Sequence, residues 1–204
     1  MRADAHRLAG EAGTTISELV IGMAIFSVVI AISLGGLTTA QNTVGRADLR
    51  NRSNDQAVLG VNQIARQVRS GNILYDPALE NSPGNGILPG LALRIYTQAN
   101  GIQRCVQWRI TSGALQSRSW SESWQLDGQI SGWETVAANV VNTTQLPAFS
   151  LDSGSSFGGR LLNIDLRVSA NPASVPTVQT KQSVTGRNTE YGYDPNVCSS
   201  IPPY

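Results

Sequence analysis

From Leu19 to Gly45 the chain carries no charged side chain, and the apolar heart of that run reads LVIGMAIFSVVIAISLGGL, Leu19 to Leu37. As a helix this stretch rises roughly 28 Å, about the thickness of a bilayer's hydrocarbon core. A soluble domain would have to bury such a helix on every side, and uncharged runs of this length are rare in soluble folds. The remainder of the composition narrows the function. Charged residues make up 14% of the 204 residues, against about 25% in an ordinary soluble chain. Net charge is +1, which argues against electrostatic binding of nucleic acid over the whole chain. His6 is the single histidine, so no Ser-His-Asp or Cys-His nucleophile pair exists beyond it. Cys105 and Cys198 cannot fill a structural zinc site alone. The carboxylates Asp76, Glu80, Glu122, Asp127, Glu134, Asp152, Asp165, Glu190 and Asp194 show no ligand-like spacing. The expectation is a protein that is not an enzyme and holds neither metal nor cofactor.

Two membrane readings compete for the uncharged run. A secretory signal peptide needs a basic start, an apolar stretch of about 7–15 residues and a small-residue cleavage site, which Thr38-Thr39-Ala40 would supply. Against this, Asp4 and Glu11 offset Arg2 and Arg7, and the apolar stretch is too long. Glu18 stands at its edge, where an acid works against insertion; a central Asp costs about 2.5–3.5 kcal/mol on insertion scales.

Gly13-Thr14-Thr15-Ile16-Ser17-Glu18, followed at once by the apolar helix, resembles the cleavage and methylation signal of type IV prepilins. The resemblance implies that residues 1–13 are a cytoplasmic leader removed by a prepilin peptidase between Gly13 and Thr14. Thr14 then becomes the N-methylated first residue, and Glu18 falls at the fifth mature position. Family members usually carry phenylalanine or methionine where Thr14 stands, and often a proline near Gly35-Gly36, whose paired glycines read either as a local soft point in the helix or as small residues for close helix packing.

Beyond the membrane run, Ala57, Val58, Val61, Ile64, Ala65 and Val68 recur at helical spacing. They predict one helix from about Thr14 to Ser70, with residues 14–40 transmembrane and 41–70 amphipathic. Asp76 to Gly90, rich in Pro and Gly, reads as a loop. Then the period becomes two. Leu91 to Tyr96, Cys105 to Ile110, Ala114 to Trp120 and Leu161 to Val168 read as strands, the middle pair a hairpin turned at Thr111-Ser112-Gly113. Thr177 to Val184 is a weaker strand. The fold class is α+β, a long helix packed on a mostly antiparallel sheet, with residues 71–204 a β-rich head. Asp152–Gly159 and Arg187–Pro203 read as exposed loops and tail. Trp108, Trp120, Trp124 and Trp133 read chiefly as core and loop packing.

A long helix followed by such a hairpin is also similar, in pattern, to PilW-like minor pilins and J-type pseudopilins. The resemblance implies a pilin-like head outside the membrane and an N-terminus in the cytoplasm. It implies as partners the prepilin peptidase, other pilin or pseudopilin subunits through the N-terminal helix, an inner-membrane assembly platform and membrane lipid, with no direct nucleic-acid ligand. Glu18 would meet the α-amine of a neighbouring Thr14 and set axial register. With the head outside the membrane, where thiols oxidise, Cys105 and Cys198 are expected to form a disulfide that pins the tail. The reading is a structural, minor subunit of a pilus or secretion pseudopilus. The alternative is a membrane-anchored or secreted module that binds a ligand on a Trp-rich sheet.

Overall fold

A single helix, α1 (Ile16–Arg69), accounts for the apolar run and the periodic stretch behind it. The computed structural model describes residues 15–98, 101–152, 154, 159–171, 176–186 and 192–203. The chain divides into two compact units, one up to Gly45 and one from Arg46 onward. In the first, the helix runs unbroken through Gly35-Gly36. The Gly35 carbonyl accepts hydrogen bonds from the Thr38 and Thr39 hydroxyls, which bind that turn of the helix together.

In the second unit α1 buries one stripe, Ser53, Ala57, Gly60, Val61, Ile64, Ala65 and Val68. The spacing of three and four residues keeps these on one face. The strands that cover the stripe form two sheets rather than the one expected. The larger is an antiparallel meander of β1 (Gly71–Leu74), β2 (Ala92–Thr97), β3 (Arg104–Thr111), β4 (Ala114–Trp120) and β5 (Glu134–Ala138). The smaller places β7 (Leu161–Val168) between β6 (Phe149–Leu151) and β8 (Val178–Thr185), again antiparallel. At the turn between β3 and β4, Ser112 and Gly113 both have positive φ, as a tight hairpin turn requires.

Period-two alternation aims one face of each sheet at the helix. Leu93, Ile95, Trp108, Ile110 and Leu115 from the meander meet Phe149, Leu162, Ile164, Leu166 and Val168 from the smaller sheet around the α1 stripe, in one continuous core. The Trp108 indole N–H donates to Gln67 Oε1 of the helix at 2.7 Å, so the largest core side chain is also paired. On the opposite face of the smaller sheet, Asp165 receives Arg167, Gln179 and Lys181. Burial raises the Asp165 carboxyl, but those hydrogen bonds and charges outweigh it and hold the group below its usual range.

At Gly60 the helix closely approaches side chains of both sheets. A Cβ built there would lie 2.8 Å from Leu115 Cδ2 and 3.4 Å from Leu166 Cδ2. Gly60→Leu should therefore overpack the core and lower stability by about 1–3 kcal/mol, read as a lower denaturation midpoint of the full chain in detergent. A variant as stable as wild type would show that the helix does not pack this tightly.

Candidate functional site

Two features of the chain look outward, and each is built from sequence elements with a clear physical demand. The first is the N-terminal part of α1. Every side chain from Thr15 to Arg52 is exposed, including Ile21 (59%), Phe26 (65%) and Ile32 (70%). Among the described residues this is the one helix long and apolar enough to cross a membrane. Its hydroxyls suit that setting: Ser27 donates to the Met23 carbonyl and Thr43 to that of Thr39, so these side chains stay paired where no water is present.

Glu18 sits in the first turn. Its Oε2 accepts from the backbone N–H and the hydroxyl of Thr15, both at 3.0 Å, while the Glu18 N–H points back to Thr15 Oγ1 at 3.4 Å. This is the reciprocal arrangement of a capping box, in which two otherwise orphaned donors at a helix start are satisfied. The acid that is costly to insert thus has donors of its own within the chain. Thr15 was not singled out by sequence, although Thr15-x-x-Glu18 ahead of an apolar run is the pattern that marks such a cap. The cleavage and methylation positions, Gly13 and Thr14, lie outside the described residues, as does the rest of the leader.

The second feature is the far face of the meander. Cys105 on β3 and Cys198 form a disulfide with a Cα–Cα separation of 5.7 Å. Residues 192–203 are largely exposed, as expected of the tail, but are fastened to the sheet at several points. They lie as a strap over Ile73, Tyr96, Cys105 and Trp120, and Cys198 and Pro202 are buried. The strap is gripped by its backbone. Tyr75 donates to the Pro195 carbonyl, Arg94 to that of Cys198 at 2.7 Å, Trp124 to that of Ser200, and Arg118 to those of Pro202 and Pro203. Burial pushes the Tyr75 phenol up, which keeps its proton in place for that bond, while its oxygen accepts from the Cys198 N–H. Burial also raises the Tyr96 phenol, helped by its hydrogen bond to Glu122.

Arg94 is the centre of this face. Its guanidinium pairs with Glu80 at 2.7 Å, with the two side chains only 13% and 4% exposed, and stacks 4.1 Å from the Tyr75 ring. Sequence alternation had placed Arg94 opposite Leu93 and Ile95 but gave no sign of its partner, because Glu80 lies in the Pro/Gly-rich stretch before β2. The tryptophans are used internally. Trp108 and Trp120 are fully buried, Trp124 holds the strap, and Trp133 stacks between Arg109 at 3.8 Å and Arg118 at 4.6 Å.

No protein-family model matches the chain, and no curated protein matches it.

Removing one member of a buried ion pair leaves the other charged and unpaired, at a cost of about 3–5 kcal/mol. Arg94→Met should destabilise the full chain by that amount and expose the strap to limited proteolysis. Arg94→Met combined with Glu80→Leu should recover most of the loss. Equal instability of the single and double variants would show that the pair does not act as a unit.

Proposed function

We propose that the chain is a structural subunit, of the minor type, in a filament of the type IV pilus or pseudopilus class. The observation that carries this reading is the N-terminal part of α1, whose apolar side chains are uncovered on all sides of the helix. Such a surface is stable in lipid and equally stable among like helices, since both surroundings are apolar. A subunit built this way transfers from membrane to helical bundle without passing through water. The Gly13–Glu18 motif supports the same reading and names the processing step, cleavage by a prepilin peptidase. The partners follow: other subunits through α1, and an inner-membrane assembly platform. The head would lie outside the membrane, where the Cys105–Cys198 disulfide forms readily. The placement of the four tryptophans favours packing over an open aromatic platform, and so lends no support to a ligand-binding module of that kind.

Processing is the direct test. Mature protein should begin at Thr14 by mass spectrometry, and Gly13→Leu should remain at precursor size on a gel. Mature-size protein from that variant would overturn the prepilin reading.

Glu18→Gln separates folding from assembly. Glutamine keeps the size of the side chain and still accepts from Thr15 through its carbonyl, and its neutral amide costs less in lipid. The variant should be processed and inserted normally. It lacks the charge to meet a neighbouring Thr14 amine, and a buried ammonium without its partner costs about 3–5 kcal/mol. Its ratio in sheared filaments relative to membranes should fall by about a hundredfold or more. An unchanged ratio would remove the register role and leave Glu18 as the helix cap alone.

A further inference from the structure

The helix-facing side of the meander changes character partway along. Under α1 it shows Trp108, Ile110 and Leu115, but towards the start of β3 and the far part of β4 the same face shows Arg104, Ser117 and Ser119. Alternation puts Arg104 on the side of Val106 and Trp108, and the pairing Ser117↔Glu134 puts Glu134 of β5 there too. These residues line a groove of about 400 Å³, walled on the helix side by Gln63. That volume lies in the range of small-molecule sites, yet the lining is mainly hydrogen-bonding groups. None of the side chains of Arg104, Gln63, Ser117 and Glu134 has a partner among the described residues.

The two charges in the groove are held apart. Glu134 stands two strands across from Arg104 and four residues along by register. With strands about 4.8 Å apart and about 3.3 Å per residue, their Cα atoms are about 16 Å apart. Strand register fixes that separation, so the guanidinium and the carboxylate do not pair with each other, and a ligand that neutralises both carries opposite charges at its two ends. Gln63, which lines the same groove, selects further. The Gln63 amide offers one donor group and one acceptor, the complement of a peptide unit. Three extended residues span about 10 Å, which together with the reach of the Arg104 and Glu134 side chains covers the gap.

We propose that this groove binds a short free peptide as a zwitterion, its terminal carboxylate on Arg104, its terminal ammonium on Glu134 and its backbone against Gln63 and the Ser117 and Ser119 hydroxyls. The proposal does not depend on the filament reading, because every group it uses lies in the unit from Arg46 onward.

The test is calorimetric titration of full-length protein in detergent micelles with trialanine, N-acetyl-trialanine and trialanine amide. Trialanine should bind saturably, and each capped peptide should bind at least about tenfold more weakly, the loss of one charge-assisted contact. Arg104→Gln should bind trialanine and its amide equally, and Glu134→Gln should bind trialanine and its N-acetyl form equally. Absence of saturable trialanine binding would overturn the proposal, as would a preference for free ends that survives in both variants. Binding of a uronic-acid disaccharide in place of trialanine would overturn it in favour of an acidic sugar. The three wild-type titrations decide the matter even if a variant folds poorly.

Discussion

Burial of the α1 stripe from Ser53 to Val68 is the interaction on which the head depends. The two sheets are separate in strand order. Backbone hydrogen bonds at their margins, such as Val141 N–H to the Arg167 carbonyl and Phe149 N–H to the Gly90 carbonyl, link them, and both turn their apolar faces to the same helix. The small residues of the stripe, Ser53, Ala57, Gly60 and Ala65, are what allow two layers of Leu, Ile and Trp to approach a single helix. A wider helix would hold the sheets apart and leave voids, which close-packed interiors do not tolerate. This is why a segment that is polar on its other faces still forms a stable helix at its end.

The same helix answers a different demand in its N-terminal part. There the apolar side chains are exposed among the described residues, and the hydroxyls of Ser27, Thr38, Thr39 and Thr43 are paired to carbonyls of the preceding turn and the one acid to Thr15. Such internal pairing is what an apolar surrounding requires of any polar group. One element thus follows two rules along its length: one-sided burial against its own sheets, and uniform exposure with self-contained polar groups.

What the sequence made legible was set by periodicity. The long helix, the β3–β4 hairpin and β7 repeat their apolar residues strictly enough to be read directly. Four-residue β1 contains a register slip between Gly71 and Ile73, β5 reads Glu-Thr-Val-Ala-Ala without clean alternation, and β6 has three residues, too few for a period to show. The division into two sheets is a matter of long-range pairing, and no local signal assigns Phe149–Leu151 to β7 rather than to the meander. Of the outward-looking residues, Glu18 is visible as a misplaced charge, whereas its cap with Thr15 is a short polar spacing whose meaning depends on where the helix starts. The cysteines pointed to the strap. Arg94, Glu80 and Tyr75, which hold it, are scattered in sequence and meet only once β1 and β2 pair.

The way the strap is held has a consequence for how its sequence can change over time. Arg94, Arg118, Tyr75 and Trp124 grip carbonyl oxygens, groups that every amino acid supplies in the same place. Apart from Cys198, Tyr193, Ser200 and the residues that lie against the sheet, substitutions in the strap leave the grip intact. Selection acting on the outer surface there has freedom to rewrite side chains without renegotiating the fold, while the residues underneath are bound to stay as they are. The strap is in that sense a replaceable cover on a constrained frame, and sequence change should collect on its outer side chains first.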